Sequence, residues 1–163
     1  MRRTLLAAIV LLAAAAPLRA QEPQVSPTAP VDRPVAGRDT TEFNQIQRMI
    51  APAVRQARAS WPQARRRYLA GLPAGRIFFV TTLLTDGRGS REQVFVRVDA
   101  IAGDIVRGRI WSDIAAVRGY AKGQAVTLRD ADVLDWLIAH PDGTEEGNFV
   151  GKLIDRMQAA GHP

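Results

Sequence analysis

Ile77-Phe78-Phe79-Val80-Thr81-Thr82-Leu83-Leu84, Asp86-Gly87-Arg88-Gly89-Ser90 and Gln93-Val94-Phe95-Val96-Arg97-Val98 are the three pieces on which the fold turns. Two apolar runs rich in β-branched and aromatic residues flank a polar turn, so the chain goes out as one strand and returns as the next. In the return strand Val94, Val96 and Val98 alternate with Phe95 and Arg97, because successive side chains of a strand point to opposite faces.

Strands continue beyond this pair. Ala102-Gly103-Asp104 turns the chain into a third strand over residues 105–111. There Val106, Gly108 and Ile110 oppose Ile105, Arg107 and Arg109, and a glycine inside a strand marks a bulge or a close backbone approach. Residues 113–119 read as a short helix or a loop, and Lys122-Gly123-Gln124 turns into a fourth strand over 125–128. After a polar break at 130–132, a fifth strand over 133–139 ends at His140-Pro141-Asp142-Gly143. Asn148 is placed to cap a last helix carrying Phe149, Leu153, Ile154 and Met157.

Upstream of residue 75 the period is helical. Thr40 or Thr41 caps a helix with Glu42 in its first turn, and Phe43, Ile46 and Ile50 follow at helical spacing. Pro52 predicts a kink or restart. Ser60, followed by Pro62, predicts a new helical start, with Ala57, Trp61, Ala64 and Tyr68 near one face and Gly71 and Pro73 ending it. Helix, a run of strands on tight turns, then helix predicts an α+β domain: an N-terminal helical segment, a curled antiparallel sheet of about five strands and a short C-terminal helix.

The ends of the chain carry different information. Arg2 and Arg3 precede an apolar run over residues 5–16, and Leu18-Arg19-Ala20 closes on a small residue. This is the order of a secretory signal peptide over residues 1–20, and the run is shorter than the ~20 residues that span a bilayer. The expected address is exported, periplasmic or secreted, with membrane contact only through the signal before cleavage. Its removal takes 20 of 163 residues, and loss of Arg2, Arg3 and Arg19 lowers the net charge from +6 to +3. Residues 21–38 hold four prolines and almost nothing bulky, a disordered linker by composition. Residues 39–163 then form one domain. With no cysteine, thiol chemistry, disulfides and cysteine metal sites are excluded.

From about residue 53 to 155 the order of motifs resembles a bacterial family, domain of unknown function 2314. The matching positions are Glu92, Gly108, Lys122-Gly123-Gln124, Asp135-Trp136, Asp142-Gly143 and Gly147. Where that family has a histidine after the glutamate this chain has Gln93; its strand tryptophan is Phe95 here, and the Lys122 turn lacks the spacer before its glycine. The resemblance implies an architecture and no activity.

Four groups of residues can carry function. Asp135 beside Trp136 reads as an acid at an aromatic wall, or as a turn-tying acid beside a core anchor. Asp142, Glu145 and Glu146, with His140 nearby, offer oxygen ligands but neither a calcium-loop ladder nor a nitrogen-rich zinc set, so no metal or other cofactor is expected. Arg55, Arg58, Arg65, Arg66, Arg67 and Arg76 occur with no acid between Ala51 and Thr85, a set suited to phosphates or carboxylates or, more plainly, to internal pairing. Glu92 with Asp135 makes the one carboxylate pair available for acid–base work, at a separation that sequence does not define. His140 and His162 are the only histidines, and no nucleophile elbow, phosphate loop or dinucleotide fingerprint is present.

The leading expectation is therefore a non-catalytic binding or interaction module of the cell envelope, with contact residues Arg58, Arg65, Arg66, Trp136 and Asp142. Its partner would be an envelope protein or an anionic ligand; nucleic acid fits poorly with export. The alternatives are a small hydrolase using Glu92 and Asp135, and a polyanion or anionic-surface binder acting through the arginine-rich helix.

Overall fold

A computed structural model describes residues 40–160, with the side chains of Thr40 and Glu42 left aside. The signal and linker readings and His162 lie outside these residues, as do the capping roles of Thr40 and Glu42. The element order is α1 (Thr40–Leu69), β1 (Ile77–Thr85), β2 (Arg91–Ala102), β3 (Ile105–Ile110), β4 (Ala125–Arg129), a 3-10 turn at Asp130–Asp132, β5 (Asp135–Ala139), β6 (Glu145–Gly147) and α2 (Phe149–Ala159). The fold is α+β, with every strand pairing antiparallel.

The sheet has six strands in the order β4-β3-β2-β1-β5-β6 and stays open, where the sequence suggested about five. The extra strand is Glu145-Glu146-Gly147, which is too short and polar to show alternation. It forms because the Pro141-Asp142-Gly143 turn folds it back on β5: the His140 N–H donates to the Thr144 carbonyl, and Leu137, Ile138 and Ala139 then pair with Gly147, Glu146 and Glu145. Residues 113–119 carry neither helix nor strand.

The two predicted helical pieces are one helix of 30 residues with Pro52 and Pro62 inside it. Buried Phe43, Ile50, Ala53, Ala57, Trp61 and Ala64 form one stripe that passes both prolines without a change of phase. Both prolines are exposed and lie outside the buried stripe, so the hydrogen bonds they remove are not in the core. Burial of the continuous stripe outweighs the local penalty. Ser60 is accordingly not a cap; its hydroxyl donates back to the carbonyls of Gln56 and Ala57 at 3.1 and 3.0 Å.

The main core lies between α1 and one sheet face. Trp61 stacks on Phe78 and Tyr68 on the same ring, with centroids 6.0 and 5.2 Å apart, above Val80, Val94, Val96, Val106 and Ile138. Gly108 has both features that a strand glycine suggests. Its partner strand slips register between Val98 and Ala100, and a Cβ at Gly108 would collide with the Arg97 carbonyl. On the other face Phe79, Leu137 and Ala139 pack with Ile77, Phe95 and Trp111.

Candidate functional site

The first candidate pair separates. Thr81 of β1 is opposite both Phe95 and Asp135, whereas Glu92 is opposite Leu84 and shares the parity of Val94 and Val96. Residues in register share a face, so Glu92 and Asp135 belong to opposite faces of the sheet. No common cleft joins them.

Each carboxylate is also occupied by backbone. Glu92 is fully buried and accepts hydrogen bonds from the N–H groups of Ala115, Ala116 and Val117 at 2.8, 2.7 and 3.1 Å. It thereby clamps the irregular crossing from β3 to β4, whose N–H groups have no ladder to join. Asp135 is 1% exposed and accepts from its neighbour Trp136 and from Val150, both at 2.7 Å. Val150 lies in the first turn of α2, so Asp135 supplies the helix cap. Asn148, read as that cap from sequence, has φ 53° and no side-chain capping bond; its amide instead donates to Glu145 at 2.7 Å. Burial pushes the Asp135 carboxyl up to about 6, against the opposing pull of its N–H donors.

Trp136 is a core anchor. It is 7% exposed, its indole N–H donates to the Ser60 hydroxyl at 2.9 Å, and its ring meets Phe149 edge-on at 5.9 Å. Gly147, at φ 75°, passes so close that a Cβ would collide with the Trp136 carbonyl. Asp142 is exposed, and one of its oxygens accepts from both the N–H and the hydroxyl of Thr144, at 2.9 and 2.7 Å, which lowers its carboxyl pKa. It shapes the hairpin turn.

The arginines divide into two sets. Arg58 donates to the carbonyls of Val133 and Ala131, both at 3.2 Å, and Arg65 donates to the Gly103 carbonyl. Arg65 also faces Asp130 at 3.7 Å, longer than a hydrogen bond, so the facing nitrogen and oxygen attract without satisfying each other. Arg67 grips Glu146 through two nitrogens, with Arg76 at 3.7 Å and His140 at 2.9 Å from the same carboxylate. Arg67, then His140, hold the Glu146 carboxyl down at about 2 against the cost of burial, and Arg67 ties β6 to the end of α1.

Arg48, Arg55 and Arg66 are exposed and have no protein partner among the described residues. At 3.6 residues per turn, positions 48, 55 and 66 fall within about 20° of one another along about 27 Å of helix. Sequence reasoning singled out Arg66 but missed its alignment with Arg48. The 7- and 11-residue separations, both near whole numbers of turns, carry that signal.

A cleft of about 620 Å³ opens where the end of α1 and the following loop stand away from β2. Tyr68, Leu69, Leu72, Arg76, Arg97 and Ile101 contribute to its walls. Sequence reading treated Tyr68 as core and Arg76 as part of the basic segment, and did not join them to Leu69, Leu72, Arg97 and Ile101, which they meet only through the packing of α1 on the sheet. Among the described residues no three His, Asp or Glu side chains are grouped to hold a metal ion, and no helix is long and apolar enough to cross a membrane.

No family model, curated protein or solved structure matches this chain.

Proposed function

We propose that the protein is an exported, non-catalytic binding module of the cell envelope, which meets an acidic partner through the outward face of α1. The observation that carries this reading is the division of the arginines. Arg58, Arg65 and Arg67 are spent inside the fold, while Arg48, Arg55 and Arg66 form one solvent-facing line without a counter-charge among the described residues. Guanidinium groups so spaced suit carboxylates or phosphates carried on an extended surface. The occupation of Glu92 and Asp135 by backbone N–H groups supports a non-catalytic role. The charged start and apolar run of residues 1–20, followed by the proline-rich tract, support export with a spacer before the domain.

The test is capture from an envelope extract at low and moderate salt, with the protein and with an Arg48→Gln/Arg55→Gln/Arg66→Gln variant. The expected result is a discrete partner retained at moderate salt by the unmodified chain and lost by the variant. Capture that ignores the triple substitution would overturn the assignment of the surface. Broad capture abolished by salt would reduce it to a generic electrostatic face.

A further inference from the structure

β2 outruns its neighbour. The β1–β2 pairing ends at Phe79–Arg97, yet β2 continues to Ala102, and Ala100, Ile101 and Ala102 go on pairing with β3. The register slip between Val98 and Ala100 falls where this support is lost, as bulges commonly do where pairing ends. Among the described residues, the last turn of β2 therefore has a strand on one side only. A strand edge without a partner carries backbone N–H and C=O groups ready for another chain.

That edge forms one wall of the cleft. Exposed Leu69 and half-buried Leu72 and Tyr68, from the end of α1 and the loop after it, line the same cleft, and Ile101 of β2 is buried. Leu69 is 51% exposed, the most exposed large apolar side chain among the described residues. Its exposure at the lip of a concave apolar wall differs from that of a leucine scattered on a convex surface. The Tyr68 hydroxyl has no hydrogen-bond partner among the described residues; burial and Asp99 raise its pKa. Arg76 and Arg97 face acids at 3.7 and 3.6 Å, longer than hydrogen bonds, and so retain donors for a ligand. Two guanidinium groups against Asp99 leave the rim net cationic.

We propose that this cleft binds a short extended peptide by strand addition to the free edge of β2, with aliphatic side chains at alternate positions against Leu69, Leu72 and Ile101 and a carboxylate at Arg76 and Arg97. Backbone pairing supplies affinity, and the alternate pockets supply selectivity. The free edge is what favours a peptide over a small amphiphile, which has no use for a row of backbone groups. This site is separate from the outward stripe of α1 and does not depend on the function proposed for it.

The experiment is selection of random heptapeptides with free C-termini on the purified protein, followed by titration of the enriched peptide. The expected peptide carries alternating aliphatic residues and a carboxylate, and its amide shifts map to residues 97–102 and 68–72. Methylating a backbone nitrogen in its strand should weaken binding by at least about tenfold, and Leu69→Asn or Arg97→Gln by about three- to tenfold. Leu69 and Arg97 are partly exposed, so these variants test the site without emptying the core. Arg48→Gln/Arg55→Gln/Arg66→Gln should bind the peptide unchanged. Failure to enrich any sequence, shifts elsewhere, or indifference to N-methylation would overturn the proposal. Dodecanoate displacing the peptide and binding more tightly would instead make the cleft a lipid site.

Discussion

Glu92 illustrates how a buried acid can be structural without a counter-ion. Its two oxygens take three consecutive N–H groups of a crossing that has no regular structure. Replacing it with alanine leaves three donors unmet in a closed interior. Glu92→Ala should therefore cost at least about 3 kcal/mol, measured as a lower urea midpoint. A loss below about 1 kcal/mol would mean that water replaces the carboxylate. Asp135 makes a different prediction. Its folded value of about 6 lies above the ordinary 3.8, so the folded state holds the proton more tightly than the unfolded chain. The resulting stabilisation is complete below about pH 4 and is lost as pH rises through 6, on the order of 3 kcal/mol. Glu146 works in the opposite sense. Its value of about 2 lies below the ordinary 4.5, so its contribution is present above pH 4.5 and lost as pH falls through 2. Urea unfolding between pH 3 and 7 should find a stability maximum near about pH 4–5, and Asp135→Asn should flatten the decline above it. A steady rise from pH 4 to 6 in the unmodified protein would contradict the assignment.

At the scale of elements, α1 holds its geometry against its own sequence. Two prolines interrupt its hydrogen-bond ladder, and the buried stripe from Phe43 to Ala64 carries it through. Restoring one backbone bond on the exposed side should then stabilise the protein. Pro52→Ala is expected to raise stability by about 1–3 kcal/mol, read from thermal or urea unfolding. A loss would show that the proline sets a bend on which the packing depends. The β1–β2 turn was readable because its polar and glycine residues interrupt two strong apolar runs. β6 was not, because three residues with no alternation become a strand only when the Asp142 turn returns them to β5. The same is true of the cap on α2. A search among local neighbours finds Asn148, but the acceptor is Asp135, 15 positions from Val150 in sequence.

Across the whole molecule, charge is sorted by orientation on one helix. Inward-reaching arginines fasten α1 to the 3-10 turn, the β2–β3 turn and β6, and outward ones are left for solvent or a partner. The triple substitution of Arg48, Arg55 and Arg66 by glutamine should change folding stability by less than about 0.5 kcal/mol while removing the binding retained at moderate salt. Arg67→Gln should instead destabilise, because it releases β6 from the end of α1; a triple variant that unfolds before Arg67→Gln would reverse this division. Apolar periodicity, glycine-bearing turns and composition were enough to read the α+β class, the hairpin faces, the glycine at position 108 and the absence of thiol chemistry. Those features depend on neighbours a few residues apart. The separation of Glu92 from Asp135, the internal use of Arg58 and Arg65, and the cleft beside β2 arise only on folding. Each depends on strand register or on α1 crossing the sheet, which joins residues tens of positions apart and leaves no local trace.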